Sequence, residues 1–440
     1  MIFPKFDLDR ILSRAILTQK REDTLVKIPG SKSILQRILL LMAYNKRNLS
    51  VYNYNPCGDL RELEDALSSF GYRISGHDLR REFLFDEELF AQSKHHYNFQ
   101  YNATGFRFWL SFLASQPGIS SELWVSDILL ARGYAPLSQA LQAMGAKVSL
   151  AGNLLSITGA QLLGGKYNLA GDISSQYASS LILAAPGMQS DLTLELSPFQ
   201  VSQSYINLSL QMLALFGLDT QITGPEIHIP IQSIRLPRRF KVDSDFSTVA
   251  YYAVRAALTP EGLRIPIFYR KELKQADERM LDFLKQMGAS VQRGKSYVRI
   301  SPSLLKGGSF ELKDCPDLMP VLSILALFCE EHSTLLNVER LAHKESDRVF
   351  GIIKAFDKIG AQYERGDDHL TIYPFDGEIQ HSEPEIQHFG PQMQHLVLDT
   401  QNDHRLVMAF SLLKDKFPQL QLSETGSLDK SFPFGYEELI

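Results

Sequence analysis

The chain has 440 residues and a formal net charge of −5, and 44% of its residues are hydrophobic. This length exceeds one ordinary core and predicts two domains, while the acidic balance excludes a global positive field that would recruit nucleic acid or an anionic membrane. The three cysteines lack CxxC spacing, which argues against a disulfide framework or structural zinc and favours a reducing compartment. No apolar run reaches the ~18 residues of a membrane helix. We therefore expect a cytoplasmic protein.

Six strongly apolar segments recur along the chain and predict six buried helices, because a helix that is apolar on all sides is buried. They begin near Ser33, Gly105, Ser174, Phe246, Asp317 and Asp403. Five other helix-like segments end at Gly71, Gly145, Gly217, Gly288 and Gly360. Each of these glycines is followed by strand-like residues, and its position predicts the left-handed residue that ends many helices.

The apolar segments and the segments that end in glycine recur with nearly the same spacing, which indicates six units of about 72 residues. Each unit has one buried helix, one more amphipathic helix and several strands. Three units per domain give two similar α/β domains. The last unit is longer because Gln-His recurs in it at His381, His388 and His395. Prolines in this segment break any helix that would align the three rings, so we interpret it as a polar surface insertion rather than a metal site.

The buried segments begin with polar residues, in the motifs GSKS, NATGFR, GDISSQ, DSDFST, DCPDLMP and QNDHR. Capping is the simpler interpretation for Asp245 and Ser247, since Asp and Ser are good N-caps. Capping needs no cation, however, and a cation is unfavourable beside the positive end of a helix. The cations in these first turns are Lys32, Arg37, Arg107 and Arg405. An anion held jointly by amides, hydroxyls and cations would explain them.

Acid–base groups accompany the cations. Asp317 opens one buried segment, Glu345 lies in the motif HKESDR, His404 precedes Arg405, and Lys430 lies near the C-terminus. Taken alone, HKESDR fits an exposed helix with ion pairs one turn apart. Beside the other motifs it indicates an active site, where carboxylates stay ionised unless desolvated and lysines are candidates for a lowered pKa.

Seven motifs occur in a fixed order over most of the chain: IPGSKSILQR, GDISSQY, VSQSY, PD at 316–317, KESDR, NDHR and DKSFP. Together they resemble the EPSP synthases (3-phosphoshikimate 1-carboxyvinyltransferases), which are enolpyruvyl transferases. The resemblance implies two inside-out α/β domains, each of three βαβαββ units, which we place at 29–242 and at 1–28 plus 243–440. It also implies transfer of the enolpyruvyl group of phosphoenolpyruvate to the 5-hydroxyl of shikimate 3-phosphate, with release of phosphate and without metal or cofactor.

The resemblance assigns site residues by position. It makes Asp317 the acceptor of the 5-hydroxyl proton and Glu345 the proton donor to the enolpyruvyl methylene, with Lys32 and Lys430 as further catalytic groups. The residues expected to bind shikimate 3-phosphate are Lys32, Ser33, Arg37, Ser174, Ser175, Gln176, Ser202, Tyr205, Asp317 and Lys344. Those expected to bind phosphoenolpyruvate are Lys32, Asn102, Arg132, Gln176, Arg348, Arg405 and Lys430. We expect a monomer that binds these two small molecules and neither nucleic acid nor membrane.

The sequence departs from the family pattern in one loop. It reads NATGFR from Asn102 to Arg107, where the family usually reads NAGTAMR, and is one residue shorter. The resemblance implies that this loop lies against phosphoenolpyruvate, so we expect an altered pocket there and an altered response to glyphosate. Arg132 is followed by Gly133 and Tyr134 instead of the usual proline.

Two alternative functions can be weighed from the sequence. The related enolpyruvyl transferase that acts on UDP-N-acetylglucosamine typically has Asn after the first lysine and a cysteine acid in a mobile loop. Here Ser33 follows Lys32, and no cysteine lies between Cys57 and Cys315. A non-catalytic homologue that only binds phosphorylated ligands would account for the altered loop, but the charged residues of the other motifs are retained.

Overall fold

The computed structural model describes residues 26–77, 79–169, 174–196, 202–339, 341, 345–375, 396–414 and 416–432. The predicted site residue Lys344 lies outside these ranges. So does the Gln-His segment with His381, His388 and His395. No helix within the described ranges has both the length and the apolar character needed to cross a membrane.

The α-helices of the first half are α1 (Lys32–Tyr44), α2 (Gly58–Phe70), α3 (Glu87–Gln92), α4 (Ala103–Ala114), α5 (Asp127–Ala131), α6 (Ala135–Ala143), α7 (Ser175–Ala184) and α8 (Gln203–Leu215). Those of the second half are α9 (Phe246–Leu258), α10 (Arg279–Gln286), α11 (Met319–Ala326), α12 (Arg348–Ile359) and α13 (His404–Lys414). Short 3-10 helices span Ala185–Gly187, Ala276–Glu278, Pro316–Leu318 and Thr425–Lys430.

The strands up to residue 241 are β1 (Leu49–Tyr52), β2 (Tyr72–His77), β3 (Arg80–Phe85), β4 (His96–Phe99), β5 (Ser120–Val125), β6 (Lys147–Ala151), β7 (Leu154–Thr158), β8 (Gly165–Leu169), β9 (Leu192–Leu196), β10 (Gln221–Thr223), β11 (Glu226–Ile229) and β12 (Arg239–Lys241). The later ones are β13 (Leu263–Pro266), β14 (Ser290–Arg293), β15 (Tyr297–Ser301), β16 (Ser309–Glu311), β17 (Ser333–Leu336), β18 (Tyr363–Arg365), β19 (His369–Ile372), β20 (Val397–Leu398) and β21 (Gln421–Leu422).

The sheets repeat one pattern. Four of them have the strand orders β12-β1-β3-β2, β4-β5-β7-β6, β10-β11-β9-β8 and β16-β17-β19-β18. Each of these contains one parallel pair and two antiparallel pairs, as in β1 with β12, β1 with β3, and β3 with β2. The remaining strands form the sheets β13-β15-β14 and β20-β21. The mixed α/β architecture built from repeated units is therefore confirmed.

The helices predicted to be buried lie at the centre of each half. In the first half α1, α4 and α7 contact one another pairwise, and in the second half α9, α11 and α13 do the same. Every residue from Ile34 to Ala43 of α1 is buried, although the helix contains Gln36 and Arg37. The strands instead alternate, as in β5, where exposed and buried residues follow each other. This alternation is that of a sheet with one face against a core, so the helices are inside and the sheets outside.

The glycines predicted at helix ends all have positive φ. The angles are 124° at Gly71, 107° at Gly145, 89° at Gly217, 92° at Gly288 and 77° at Gly360. This region costs other residues about 1–2 kcal/mol, because Cβ approaches the following carbonyl oxygen. The periodic glycines therefore mark five real helix ends, as the sequence predicted.

Two apolar cores divide the described chain. The first contains residues from Ile34 to Val242 together with Leu273. The second contains Val26 and Ile28 together with residues from Phe246 onward. The predicted domain boundaries fall where the chain passes from one core to the other. The division into two domains itself stays a prediction.

The chain passes between the cores at two neighbouring points. Gly30 and Ser244 form an antiparallel bridge. Beside it, Ser31 N–H donates to Asp243 O at 2.8 Å, and Asp245 N–H donates to Pro29 O at 2.8 Å. A Cβ added at Gly30 would overlap the carbonyl oxygen of Asn53, so this position needs glycine. The segment GSKS thus enters α1 directly from a crossing between the cores.

Candidate active site

A cavity of about 680 Å³ has walls from both cores. Most residues assigned to the site by resemblance line it, namely Lys32, Ser33, Arg37, Arg132, Ser174, Ser175, Gln176, Ser202, Tyr205, Asp317, Glu345, Arg348 and Arg405. Its walls contain residues from the starts of all six buried helices. The polar helix starts seen in the sequence therefore converge on one cavity, where helix N-termini and cations together suit an anionic ligand.

Arg37 reaches the cavity from α1 and is surrounded by neutral oxygens. Its Nε donates to Ser209 Oγ at 2.9 Å, and its other nitrogens donate to the carbonyls of Ser33 at 2.8 Å and Tyr205 at 2.9 Å. Only 2% of Arg37 is exposed. Burial lowers the pKa of this guanidinium to about 10, so it remains charged at neutral pH. A buried cation without a carboxylate is costly by itself and is predisposed to bind an anion.

Arg107 of α4 is held in the same way. It donates to the carbonyls of Arg132 at 2.6 Å and Gly133 at 2.8 Å, and also to Ser174 Oγ and the Gln176 side-chain oxygen. Burial lowers the pKa of Arg107 to about 10. Ser174 also caps α7 by accepting the Gln176 N–H at 3.2 Å. This guanidinium therefore links the starts of α4 and α7 to the loop after α5.

Ser202 and Tyr205 line the cavity at the start of α8. Ser202 has a backbone φ of 53°, in the left-handed region that non-glycine residues rarely occupy, and strain there clusters at functional sites. Burial together with the nearby Asp317 raises the pKa of the Tyr205 hydroxyl well above its usual value. The hydroxyl therefore stays protonated and able to donate a hydrogen bond.

Lys32 connects the two cores. Its Nζ donates at 2.8 Å to Asp59 of α2 and at 2.8 Å to Ser431 Oγ beyond the last 3-10 helix. Burial would lower the pKa of the Lys32 ammonium, but the charge and hydrogen bond of Asp59 together with Cys57 outweigh burial and raise the pKa. The lowered pKa expected for lysines of this cluster is therefore wrong for Lys32. The sequence pattern did not reveal that a carboxylate one helix away would pair with it.

Arg348 organises the wall built by the second core. It is 1% exposed and donates to Asp317 at 2.8 Å, to Glu345 at 2.9 Å and to Asp403 at 2.9 Å. These carboxylates raise its pKa well above the usual value, although burial opposes them. Arg405 also donates to Asp317, at 3.2 Å. The surface-helix interpretation of HKESDR is thus wrong for Arg348, which is buried among three carboxylates.

Glu345 lies where cations from both cores meet. Its Oε1 is 3.4 Å from Arg132 of the first core and 3.4 Å from Lys430 of the second. Burial would raise the pKa of this carboxyl, but the charges of Lys430, Arg132 and Arg348 outweigh burial and hold it well below its usual range. Glu345 is therefore ionised, and its partner Lys430 is not among the residues that line the cavity.

Asn102 is placed differently from the expectation. It is fully buried, its side-chain oxygen caps α4 by accepting Gly105 N–H at 2.7 Å, and its amide donates to Asp59 O at 2.6 Å. Thr104 lines the cavity instead and accepts a hydrogen bond from Gln176 Nε2 at 2.8 Å. In the shortened loop Thr104 lines the cavity and Asn102 is not among its lining residues, and the contact of Asn102 with phosphoenolpyruvate stays a prediction.

Further buried acid–base groups lie close to the cavity. Asp245 occupies the N-cap position of α9, and its side chain accepts a hydrogen bond from the Thr248 hydroxyl at 2.9 Å. Ser247 donates to Asp277, which is 3% exposed and whose pKa burial raises to about 6. Burial beside Arg405 lowers the pKa of His404 well below its usual value, so this ring is neutral.

Sequence reasoning missed several partners at this site. Asp59, Asp403 and Ser431 each hold a predicted cation, and Arg107 was noticed only as a cation in a first turn. Asp403 precedes His404 in the motif NDHR, which was a usable signal. Asp59 lies at the start of an amphipathic helix, where an acidic residue is ordinary. Within the described ranges, no group of three or more His, Cys, Asp or Glu residues is arranged to hold a metal ion.

Comparison with known proteins identifies the family. Residues 17–439 match the family model described as EPSP synthase (3-phosphoshikimate 1-carboxyvinyltransferase). The 3-phosphoshikimate 1-carboxyvinyltransferase of Nitrosomonas europaea is 30% identical over 433 residues, with 94% of each chain covered. That of Vibrio atlanticus is 28% identical over 423 residues, covering 94% of this chain and 95% of the relative.

Solved structures share the fold. An EPSP synthase from Acinetobacter baumannii has a TM-score of 0.72 at 22% identity, with 94% of each chain covered. The enolpyruvyl transferase NikO from Streptomyces tendae has a TM-score of 0.69 at 17% identity, covering 96% of this chain and 95% of that one. Since the family model spans almost the entire sequence and the relatives align over nearly their full length, this chain belongs to the EPSP synthase family.

Proposed function

We propose that this protein transfers the enolpyruvyl group of phosphoenolpyruvate to the 5-hydroxyl of shikimate 3-phosphate and releases phosphate. The observation that carries the proposal is the pair Asp317 and Glu345, which face the same cavity, are held by the same guanidinium of Arg348, and are surrounded by cations from both cores. Two carboxylates beside bound anions supply the proton acceptor and donor that the transfer needs.

Shikimate 3-phosphate is assigned to the wall built by the first core. Arg37 offers a buried charge there, and Ser174, Ser175 and Ser202 offer hydroxyls at the starts of α7 and α8. Helix N-termini, hydroxyls and a guanidinium are together a good match for a phosphate monoester. Lys344 keeps its predicted contact with this substrate as part of the proposal.

Phosphoenolpyruvate is assigned to the cations nearest Glu345. Arg132, Arg348, Arg405 and Lys430 would hold its phosphate and carboxylate, with Lys32 between the two substrates and Thr104 and Gln176 at the rim. Fixed cations in a cavity that excludes water stabilise charge that develops in the transition state more strongly than water does. The same arrangement brings two mutually repelling anions together in a reactive orientation.

The chemistry proceeds by addition and elimination. In the addition, Asp317 accepts the proton of the 5-hydroxyl, the oxygen bonds to C2 of phosphoenolpyruvate, and Glu345 gives a proton to C3. In the elimination, Glu345 takes a proton back from C3, the C2=C3 double bond forms again, and the C–O bond to phosphate breaks. The cationic groups around Glu345 stabilise the leaving phosphate.

A proton donor must be protonated when it acts, and the unliganded site holds Glu345 ionised. The charges responsible are those of Lys430, Arg132 and Arg348, the same groups assigned to phosphoenolpyruvate. Once the anionic substrate neutralises them, the effect of burial dominates and the carboxyl takes up a proton. Substrate binding and proton loading of Glu345 are therefore coupled in this proposal.

The proposal also covers the organisation of the protein. We infer two domains, 29–242 and 1–28 plus 243–440, whose boundaries follow the division between the two cores. We further infer a monomer in the cytoplasm. Cys57, Cys315 and Cys329 are all buried free thiols, which is consistent with a reducing compartment.

The test is phosphate release on mixing phosphoenolpyruvate with shikimate 3-phosphate, with each substrate alone as the control. Turnover that requires both substrates is expected. Tight binding of shikimate 3-phosphate without turnover would instead indicate a non-catalytic binding protein. Turnover with UDP-N-acetylglucosamine in place of shikimate 3-phosphate would indicate the related transferase.

A further inference from the structure

A carboxylate outside the cavity holds the loop that leads into α4. Glu62, on α2, accepts three backbone hydrogen bonds from successive residues of this loop. Gln100 N–H and Asn102 N–H donate to one oxygen at 3.2 and 3.1 Å, and Tyr101 N–H donates to the other at 3.0 Å. Three amides on one carboxylate form an anion nest, and hydrogen bonds to an ionised acceptor are stronger than neutral ones.

The same helix holds the loop at a second point. Asn102 donates from its side chain to the backbone carbonyl of Asp59, which lies three residues before Glu62 on α2. The Asp59 side chain in turn pairs with Lys32 inside the cavity. One rigid helix therefore fixes both the ammonium of Lys32 and the path of the loop, so their separation depends on α2.

The held loop leads directly to groups that face the cavity. Tyr101, Ala103 and Thr104 line it, and Thr104 accepts a hydrogen bond from Gln176 at 2.8 Å. The cap that starts α4 leaves no room to adjust, because a Cβ at Gly105 would overlap the Asn102 side chain. A shift of residues 100–102 would therefore move Thr104 and the first turn of α4 relative to Lys32.

We propose that Glu62 is a positioning residue for the phosphoenolpyruvate subsite. Its carboxylate orders residues 100–102 so that Thr104 and the start of α4 meet the substrate at the correct distance from Lys32. This inference rests on the proposed function for the identity of the substrate. Glu62 does not touch the substrate, and its effect passes through the loop.

The test compares Glu62→Gln with Asp65→Asn in the full-length protein. The glutamine is nearly isosteric, but its amide nitrogen cannot accept, while both Glu62 oxygens serve as acceptors. Asp65 is an exposed acid three residues further along α2, and its variant makes the same charge change without altering the carboxylate that accepts from residues 100–102. Initial rates are measured while each substrate is varied, and shikimate 3-phosphate binding is titrated separately.

We expect Glu62→Gln to raise the KM for phosphoenolpyruvate by about tenfold, while the dissociation constant for shikimate 3-phosphate changes by less than about twofold. Amide hydrogens of residues 100–102 should exchange faster in Glu62→Gln than in wild type. Asp65→Asn should match wild type in all three measurements. An unchanged KM for phosphoenolpyruvate, or equal weakening of both substrates, would overturn the assignment.

Wild-type turnover is measured first and decides the proposed function by itself. If the wild-type protein shows no turnover, Glu62→Gln and Asp65→Asn are compared by their dissociation constants for phosphoenolpyruvate in the presence of shikimate 3-phosphate. A selective loss of that affinity in Glu62→Gln supports the positioning role even if the proposed reaction fails. An unchanged affinity removes the positioning role in either case.

Discussion

Two pairs of arginines, one pair in each wall of the cavity, are held in opposite ways. In the wall from the first core, Arg37 and Arg107 donate to carbonyl, hydroxyl and amide oxygens, and burial lowers their pKa values. In the wall from the second core, Arg348 and Arg405 donate to carboxylates, which raise their pKa values. Among the residues that the structure describes, no carboxylate pairs with Arg37 or Arg107, whereas carboxylates balance the charges of Arg348 and Arg405.

This difference indicates a division of labour. An unneutralised buried cation gains most when an anion arrives, so the first wall is suited to hold the phosphate of a substrate throughout the reaction. A cation already paired with carboxylates must exchange partners when an anion binds. That exchange changes the proton affinity of the carboxylates, so the second wall is suited to acid–base chemistry.

The largest expected effect separates chemistry from binding. Glu345→Gln keeps the shape of the side chain but removes the proton that it would donate, so kcat should fall by about 10²- to 10⁴-fold. Shikimate 3-phosphate, bound to the other wall, should bind with unchanged affinity. Phosphate release and equilibrium titration check the two halves of this prediction, and retained full activity would refute the role of Glu345.

The next largest effect is on stability and compares two variants, Arg348→Met and Arg37→Met. Arg348→Met leaves three carboxylates facing one another, including Asp403 at 0% exposed, and should lower the free energy of unfolding by about 3–5 kcal/mol. Arg37→Met removes a cation that pairs with no carboxylate among the described residues, so its cost should be about 1–2 kcal/mol from unpaired neutral oxygens. Urea unfolding measures both free energies.

The same two variants should rank in the opposite order when the binding of shikimate 3-phosphate is measured. Arg37→Met is expected to abolish measurable binding of shikimate 3-phosphate while the protein stays folded. Equal losses of unfolding free energy in the two variants would show that the two walls do not differ in charge balance.

The smallest expected effect concerns the pH dependence of stability and the buried acid Asp277. Burial raises the pKa of Asp277 to about 6 from 3.8, so the folded protein binds this proton more tightly than the unfolded chain. Stability from this group is present below about pH 4 and is lost as pH rises through about 6, up to ~3 kcal/mol in all.

Asp277→Asn should therefore stabilise the protein by about 1–3 kcal/mol above roughly pH 6 and by nothing below roughly pH 4. Thermal unfolding at both pH values measures the difference. Asp282→Asn, at an exposed acid of α10, is the control and should give no such pH-dependent gain. A gain that is equal at both pH values would contradict the assignment to Asp277.

The sequence predicted the arrangement of helices in this molecule well, because that arrangement repeats along the chain. Buried helices need apolar residues on every side, and the helix ends at Gly71, Gly145, Gly217, Gly288 and Gly360 need positive φ. Both requirements are local and repeat along the chain. The polar helix starts were also visible, which is why most of the residues that line the cavity could be named in advance.

The pairing of charges could not be predicted in the same way. Arg348 is buried because Asp317 and Asp403, both distant in sequence, reach it in the folded protein. Lys32 keeps a raised pKa because Asp59 lies opposite it. Such partners depend on how the helices pack, which the sequence around each acid does not determine. That Thr104 lines the cavity while Asn102 is buried against α2 likewise depends on packing, in a loop that is one residue shorter than the family pattern.

The paired crossing at Gly30 and Ser244 also determines how the molecule can be taken apart. Because the chain enters and leaves the first core at residues joined by a bridge, that core is an insert within the second. An insert whose ends meet can be excised or replaced with little change to its host, since the gap to be closed is one strand spacing wide. Val26 and Ile28, which precede the crossing, pack in the second core together with residues from Phe246 onward. The second core, which is one cluster in space, is therefore the one that is interrupted in sequence.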